Sequence, residues 1–273
     1  MKQEVLAAIT IQPMETIEEL EMVKTLEELV WSKEEAVPVN QTIAAVKNGG
    51  FVLGAFIGEE LIGFQYSFPG FDGKRIYLCS HSLAIHPNYR KYGIGEKLKC
   101  AQKKLAREKG YDQITWTYDP LETVNAYLNL HKLGAVCSTY LENVYGEMQD
   151  SLNAGLPTDR FYVEWETAGP INKFVPESDS PHVIQTIEQD GFIIPKQSDL
   201  TLSNELLYVP VPGNFQEMKK QDFSLAAAWR KSTKEVFLHY FNLGWKAVDL
   251  VKDPHHPNQY LYLLRNEGIK NGD

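Results

Sequence analysis

The chain has 273 residues, of which 43% are hydrophobic and 23% charged, which is an ordinary balance for a globular protein with a sizeable core. Its formal net charge of -9 argues against nucleic acid as a partner, because neutralising phosphates requires an excess of lysine and arginine. Three widely spaced cysteines without a CxxC pair indicate neither a zinc site nor a disulfide framework: Cys79, Cys100 and Cys137.

The N-terminal residues do not form a basic and then apolar leader, and no window approaches the roughly 20 apolar residues that cross a bilayer. We therefore expect a cytoplasmic protein with no membrane partner, in which the cysteines stay reduced.

Helices and β-rich runs alternate along the first part of the chain. Apolar residues at every third or fourth position predict a helix over Thr16–Trp31, with this inner face: Ile17, Leu20, Val23, Leu26 or Glu27, and Val30. A second helix is predicted over Thr42–Lys47, before Asn48-Gly49-Gly50. The β-rich runs predict strands at Phe51–Phe56, Leu61–Phe68 and Ile76–Ile85. Turns are expected at Gly58-Glu59-Glu60, Pro69-Gly70 and Asp72-Gly73.

The stretch Arg90-Lys91-Tyr92-Gly93-Ile94-Gly95 is the most informative part of the chain, because it joins the strand ending at Ile85 to a helix predicted over Gly93–Lys109. The first N–H groups of a helix lack internal partners and lie at the positive end of its dipole, so they bind anions. Gly93 and Gly95 remove Cβ atoms from the path of a phosphate, and Arg90 adds a charge-assisted hydrogen bond. This order predicts a diphosphate-binding turn.

The helix after this turn has a predicted apolar stripe of Ile94, Leu98, Ala101 and Leu105, and its other faces carry Lys97, Lys103, Lys104 and Arg107. The remaining predicted elements are, in order, a strand at Ile114–Tyr118, a helix at Thr123–Leu133, strands at Ala135–Leu141 and Phe161–Trp165, a linker at Pro176–Pro181, a strand at Glu205–Val211, a helix at Asp222–Leu243, and strands at Trp245–Val251 and Gln259–Leu264.

The run from Leu83-Ala84-Ile85-His86-Pro87 to Gly95 resembles the acetyl-CoA motif of the GCN5-related N-acetyltransferases, the GNAT family. That motif has Arg or Gln, two residues, Gly, one residue, and Gly or Ala. Asn125 lies where the family often has an Asn, and His131-Lys132-Leu133-Gly134-Ala135 resembles its closing signature. The resemblance covers roughly residues 10 to 167. The stretch from Asn153 to Arg160, with Glu164-Trp165, is similar to a group of predicted acetyltransferases.

The resemblance implies an α/β (α+β) fold, in which helices flank a mixed twisted sheet whose central parallel strands splay apart. It implies a GNAT-like acyl-CoA-binding domain at 1–168 and a smaller C-terminal α/β extension at 169–273. Leu133-Gly134 and Leu243-Gly244 each end a predicted helix and precede a predicted strand. This similarity can be interpreted in two ways: the extension is a degenerate half-copy of the domain, or Leu-Gly is ordinary helix capping at both places.

The resemblance also implies the ligand and its site. Acetyl-CoA or another acyl-CoA is the co-substrate, without a metal, and it lies where the strands Ile76–Ile85 and Ile114–Tyr118 part. Main-chain groups of Leu83, Ala84 and Ile85 pair with the pantetheine arm. The implied diphosphate ligands are Arg90 and the N–H groups of Lys91, Tyr92, Gly93, Ile94, Gly95 and Glu96, and Asn125 completes the implied cofactor-binding set.

A small-molecule amine is the implied acceptor and attacks the thioester directly. His81, which shares the face of Leu83 and Ile85 by alternation, is a candidate base, and a satisfied core histidine is the alternative interpretation. Many family members have a tyrosine acid where this chain has Leu130, so Tyr127 one turn earlier is a candidate acid and solvent is the alternative. A homodimer is a further arrangement that the resemblance implies.

Two other functions stay open. The first is a catalytically inactive acyl-CoA-binding module, which Leu130 favours. The second is another kind of nucleotide-binding enzyme, although the chain lacks a P-loop and the full dinucleotide-binding GxGxxG.

Weaker candidates are interpreted as structural. Asp159-Arg160 and Glu164 are expected to form an ion pair or a wall of the acceptor pocket. Trp229-Arg230 are expected to contribute to a lid or to occupy a core position. Cys137 has no histidine at the spacing of a nucleophile, and His255-His256 has none of the partners that a metal needs.

Overall fold

A computed structural model describes residues 6–148, 154–169 and 180–266 of the chain. These residues divide into two compact units. The first contains the described residues up to Trp116 together with Trp165–Gly169, and the second contains those from Thr117 to Glu164 and those after Gly169. Two of the points at which the chain passes from one unit to the other lie inside strands, before Thr117 and before Trp165.

The first unit is built on five strands in the order β1-β2-β3-β4-β5. Their bounds are β1 Ile9–Pro13, β2 Phe51–Ile57, β3 Glu60–Phe71, β4 Ile76–Ile85 and β5 Gln113–Tyr118, of which the last reaches the second unit. Neighbouring strands are antiparallel except β4 and β5, which are parallel. The helices are α1 Ile17–Val30, α2 Val39–Lys47 and α3 Ile94–Glu108.

Local signals place the helices of this unit close to their predicted positions. Thr16 caps α1 with its side chain and Glu19 reaches back to the cap, which completes a capping box. The inner face of α1 carries Leu20, Val23 and Leu26 as predicted, whereas Ile17 is 56% exposed because it precedes the first turn that packs on the sheet. α2 begins three residues before its predicted start.

Two strand predictions in this unit are corrected. The turn predicted at Pro69-Gly70 lies inside β3, which continues to Phe71. Proline is tolerated there because β2 ends opposite Ser67, so that β3 pairs only with β4 beyond this point. Strand β1 was not predicted, since its five residues are too few for a clear alternation, and it pairs with β2.

One hydrophobic core lies between α1, α2 and the sheet. Its buried members come from α1, from strands β2, β3 and β4, and from the segment between β1 and α1, and they are Met14, Leu20, Val23, Leu26, Val52, Phe56, Phe64, Tyr66 and Ala84. Helix α3 packs against β2, β3 and β4. The strand that precedes the glycine turn and the helix that follows it are therefore both held by this unit.

The second unit has strands in the order β7-β6-β11-β12-β10 and a separate β8-β9 hairpin. Their bounds are β6 Val136–Leu141, β7 Arg160–Glu166, β8 Ile184–Gln189, β9 Phe192–Ser198, β10 Leu206–Pro212, β11 Trp245–Lys252 and β12 Gln259–Asn266. The helices are α4 Thr123–Ala126, α5 Phe215–Gln221 and α6 Phe223–Asn242. Asp222 caps α6 by accepting from the Leu225 N–H at 2.9 Å.

The predicted strands and long helix of this unit are present within about two residues of their expected bounds. The helix predicted over Thr123–Leu133 is α-helical only to Ala126, and Tyr127–Lys132 continues it as a π-helix. The hairpin β8–β9 and helix α5 were not predicted. The predicted linker falls largely outside the described residues.

The predicted fold class is confirmed, since a mixed, mostly antiparallel sheet contains a parallel pair and is packed by helices. The boundary at residue 168 and the half-copy interpretation of the extension stay predictions. Among the helices of the described ranges, none combines the length and the apolar character that crossing a bilayer requires.

Candidate active site

The parallel strands β4 and β5 form a fork. They pair only at Leu78–Ile114 and Cys79–Thr115 within the described residues, and then separate. On its other edge β4 stays paired with β3, where Tyr66 faces Ser82 and Ser67 faces Ser80, so His81 is an extra, bulged residue. A bulge bends and twists its strand, which is a local reason for β4 to leave β5 at this point.

Beyond the fork, β4 keeps one edge for a ligand. Leu83, Ala84 and Ile85 pair with Gln65, Phe64 and Gly63 of β3 on one side, and no β5 pairing is formed on the other within the described chain. An extended chain segment can add to such an edge through main-chain hydrogen bonds. The three predicted pantetheine-binding residues therefore lie consecutively on the edge that borders the fork.

The glycine turn joins β4 to α3 through two left-handed residues. Lys91 has a φ of 70° and Gly93 a φ of 84°, and Gly93 is the N-cap of α3, so no side chain caps this helix. Left-handed residues in a turn help to direct successive backbone N–H groups toward one point. Lys91, which is not glycine, stores about 1–2 kcal/mol of strain in this conformation. Arg90 is exposed and directly precedes Lys91.

His81 lies at the fork, and its imidazole contacts two aromatic rings. The ring centroids of Tyr66 and Phe68 are each 5.6 Å from that of His81. The residue as a whole is exposed, but partial desolvation of the imidazole by its neighbours lowers the pKa of His81 below its usual 6.5. A histidine with a lowered pKa is neutral at pH 7 and can accept a proton.

Glu27 contacts the same strand from α1. Its Oε1 accepts a hydrogen bond from Ser82 Oγ at 3.3 Å, and its Oε2 accepts one from the Val37 N–H at 2.9 Å. Burial raises the pKa of this carboxyl, and these hydrogen bonds oppose the rise. The periodicity of α1 allowed Glu27 as an inward position, but nothing in the sequence indicated its contact with β4.

Lys99 of α3 is the main site residue that sequence reasoning missed. It is 4% exposed, its Nζ donates to Ser80 Oγ at 2.8 Å, and the same atom lies 3.6 Å from the ring centroid of Trp116. Burial lowers the pKa of Lys99 from 10.5 to about 7. Cation–π attraction to Trp116 offsets about 2 kcal/mol of the cost of burying this ammonium.

A polar network surrounds Lys99 between α3 and the sheet. Gln65 Nε2 lies 2.6 Å from Ser67 Oγ and 3.3 Å from Ser80 Oγ, and Gln102 Nε2 donates to Ser67 Oγ at 2.8 Å. The predicted stripe of α3 is therefore corrected: Ile94 and Leu98 are buried as expected, but Lys99, Gln102 and Ala106 are buried in place of Ala101 and Leu105, which stay half-buried. In the sequence, the polar residues Gln65, Ser67 and Ser80 on the strands were the available sign that polar side chains of α3 are buried against the sheet.

The candidate acid belongs to the second unit. Tyr127 is half-buried in the π-helix and stacks on His131 with a centroid distance of 4.5 Å. His131 Nδ1 lies 3.0 Å from Asp249 Oδ1 of β11. Leu130 is 1% exposed, and Asn125 is an exposed residue of α4. π-Helical turns occur often at functional sites.

Three weaker candidates are held by contacts within the second unit, and their place in the wall of an acceptor pocket stays a prediction. Asp159 accepts hydrogen bonds from Tyr140 Oη and the Asn143 N–H. Arg160 Nη1 donates to the Asp159 carbonyl oxygen and lies 3.9 Å from Asp119 Oδ2. Glu164 Oε2 accepts from Ser138 Oγ.

The lid and nucleophile candidates also lie in the core or in turns. Trp229 is fully buried, with its Nε1 donating to the Ile193 carbonyl at 2.8 Å, which corrects the lid alternative. Cys137 is buried, and burial raises the pKa of its thiol. His255 and His256 donate their backbone N–H groups to Asp253. In the described ranges, no three His, Cys, Asp or Glu side chains are arranged to bind a metal ion.

Part of the chain is similar to known proteins. Residues 14–135, which contain α1, α2, the fork, the glycine turn and α3, match the model of the acetyltransferase (GNAT) family. A thialysine N-epsilon-acetyltransferase from Caenorhabditis elegans is 33% identical over 90 residues, which are 28% of this chain and 54% of that protein. The chain thus spans about half the length of the curated relative it matches.

Solved structures of acetyltransferases are also similar. One is the ribosomal-protein-S18-alanine N-acetyltransferase of Escherichia coli, with 14% identity and a TM-score of 0.48, covering 62% of this chain and 97% of that one. Another is a GNAT-family acetyltransferase of Elizabethkingia anophelis with acetyl-CoA bound, with 21% identity and a TM-score of 0.45, covering 58% and 98% of the two chains.

Proposed function

We propose that this chain, which carries a domain of the GNAT acetyltransferase family at residues 14–135, transfers an acyl group from a coenzyme A thioester to a small amine. The observation that carries this proposal is the fork itself: β4 leaves β5 after two paired positions and leads directly into a left-handed turn at a helix N-terminus. Acetyl-CoA is the proposed acyl donor, and it supplies an activated carbonyl with a thiolate leaving group.

The chain's own residues have distinct parts in this proposal. Main-chain groups of Leu83–Ile85 bind the pantetheine arm, and the N–H groups from Lys91 to Glu96, with Arg90, bind the diphosphate. A main-chain N–H at the fork polarises the thioester carbonyl. The unpaired edge of β4 and the uncapped, left-handed start of α3 support these assignments. Asn125 is proposed as a further cofactor-binding residue from its place in the family motif alone.

His81 is the proposed base. The amine nitrogen attacks the carbonyl carbon, its proton passes to the neutral imidazole of His81, and the carbon–sulfur bond breaks. The lowered pKa of His81 supports this role, because the imidazole is then free to accept a proton at pH 7. Tyr127 is the proposed donor of a proton to the departing thiolate, and its stacking on His131 supports an ordered phenol.

The proposed acceptor is a small amine. The name of the nematode relative describes transfer to the ε-nitrogen of thialysine, which is an amine of this kind. The chain's net charge of -9 is consistent with a cationic acceptor. Leu130, buried where many family members have a tyrosine acid, favours the second candidate function, an acyl-CoA-binding module without catalysis.

Thermal unfolding and thiol release separate these functions. Coenzyme A or acetyl-CoA at 100 times its dissociation constant is expected to stabilise the protein by about 2.7 kcal/mol, and NAD and ATP are expected to have no effect. Thiol release from acetyl-CoA is then measured with lysine analogues, diamines and amino-terminal peptides. Stabilisation by NAD or ATP alone contradicts the proposal, and binding without thiol release with any amine favours the non-catalytic module.

Replacing His81 by glutamine is expected to lower kcat by about 100-fold, because proton transfer by a positioned base contributes about that factor. In the wild-type protein, kcat/KM is expected to fall as the pH drops through a value below 6.5, where His81 becomes protonated. His86, which lies past the fork in the turn, is the matched control, and His86→Gln is expected to keep that acid limb. An unchanged limb in His81→Gln would rule out His81 as the base.

A further inference from the structure

Lys99 contacts both arms of the fork. Ser80 on β4 and Trp116 on β5 are the first residues past the last paired positions of the two strands. The Lys99 ammonium donates to Ser80 Oγ at 2.8 Å and lies 3.6 Å from the Trp116 ring centroid. A single buried charge therefore bridges the strands at the point where they separate.

Ser80 and helix α3, which carries Lys99, are each hydrogen-bonded to β3 as well. Ser80 Oγ lies 3.3 Å from Gln65 Nε2 of β3, and Gln65 also contacts Ser67. Gln102, one turn after Lys99, donates to Ser67 Oγ at 2.8 Å, which ties the same helix to the same strand. The position of Ser80 is thus set by its hydrogen bond with Gln65 of β3 as well as by the one with Lys99 of α3.

An apolar side chain would fill this position with less cost to stability. In the described residues, no carboxylate lies within ion-pair distance of Lys99, and a buried cation without such a partner is rare in folded proteins. Trp116 also contacts Trp165 edge-to-face at 5.8 Å, and Lys103 lies 4.9 Å from the Trp165 ring centroid. The directional contacts of Lys99 distinguish it from a residue that only fills space.

We propose that Lys99 is a positioning residue for acyl transfer, fixing the separation of β4 and β5 where the thioester carbonyl is held. This inference rests on the proposed function. Lys99 holds Ser80 and Trp116. It thereby sets the distance between the main-chain N–H of the fork and the thioester carbonyl that this N–H polarises. Displacement of reacting groups by about 1 Å is enough to cost about 100-fold in rate.

The kinetic test is Lys99→Met, which keeps the length of the side chain and removes its charge. We expect kcat with acetyl-CoA to fall by about tenfold or more, while the Kd of coenzyme A, bound mainly at the turn, changes by less than about threefold. Lys103→Met is the matched control on the same helix, and its kcat is expected to stay within about twofold of wild type. A kcat for Lys99→Met within this same range would overturn the proposal.

Amide hydrogen exchange of the free protein tests the same proposal without a measurement of catalytic activity. Lys99→Met is expected to speed exchange at Ser80–Leu83 and at Trp116 by about fivefold or more, and Lys103→Met to leave it unchanged. Should Lys99→Met fail to fold, Ser80→Ala removes the same contact to β4 and carries both expectations. Unchanged exchange in the folded variant overturns the inference, whereas a wild-type protein that neither binds coenzyme A nor releases thiol overturns the proposed function alone.

Discussion

Replacing Gly93 by valine is expected to lower the affinity for coenzyme A by about 100-fold, which corresponds to about 2.7 kcal/mol. Gly93 has a φ of 84° and caps α3, and it lies within the stretch from Lys91 to Glu96 that is proposed to bind the diphosphate. A β-branched residue does not adopt this conformation without strain, and its side chain would occupy the space that the anion needs. Isothermal titration calorimetry with coenzyme A measures the loss directly.

Gly110, at the other end of α3, is the matched control for this substitution. Its φ is 86°, and no atom lies within 4 Å of where its Cβ would be, so Gly110→Val introduces a comparable left-handed strain. Both variants are expected to lose about 1–2 kcal/mol of stability, and only Gly93→Val is expected to lose coenzyme A affinity. Acetyl-pantetheine, which lacks the diphosphate, should react equally well with both. Equal affinity of the two variants for coenzyme A contradicts the placement of the diphosphate.

The strand–turn–helix order around Gly93 could be predicted because its signals are local. Pro87 follows the last residues of β4, Gly93 supplies a left-handed N-cap, and Gly110 with a φ of 86° follows the helix. Each of these residues fixes its own backbone conformation, so the short run of sequence is sufficient. The capping box formed by Thr16 and Glu19 is a local signal of the same kind at the start of α1.

The chemistry of the fork could not be predicted in the same way, because it depends on register between distant strands. His81 is a bulged residue only because Tyr66 pairs with Ser82 and Ser67 with Ser80, and alternation along β4 alone does not contain this information. Lys99 illustrates a second reason. Lysine is usually exposed, so a lysine in a helix is predicted to face solvent. Only the polar residues on the facing strands explain why Lys99 is buried.

The second unit shows how tertiary pairing adds further contacts to a predicted helix. The sequence indicated a helix from Thr123 and its end before Gly134, but not the π-helical turn at Tyr127–Lys132. The partner of His131 is Asp249, 118 positions further along the chain, on a strand whose pairing is irregular between Ala247 and Asp249. The environment of the candidate acid is therefore a product of the folded unit.

Replacing Asp119 by asparagine is expected to destabilise the protein by about 3–5 kcal/mol, because it leaves a buried guanidinium without its counterion. Arg230 of α6 is 4% exposed, and its Nη1 donates to Asp119 Oδ1 at 2.8 Å while Nη2 donates to Oδ2. Burial alone would lower the pKa of Arg230, but the Asp119 carboxylate raises it above its usual value. The loss is measured from urea unfolding at pH 7.

The double variant Asp119→Asn with Arg230→Met should regain part of this stability, since the Asp119–Arg230 pair is removed as a whole, whereas Arg160, 3.9 Å from Asp119 Oδ2, keeps its charge. The coupling between the two sites is expected to be at least about 2 kcal/mol. Lys234, one turn further along α6, forms an ion pair with Glu142 in which both side chains are more than 40% exposed. Lys234→Met is therefore expected to cost less than about 1 kcal/mol. A double variant no more stable than Asp119→Asn alone would contradict the ion pair as the source of the loss, because asparagine at this position can still accept the hydrogen bond from the Leu121 N–H.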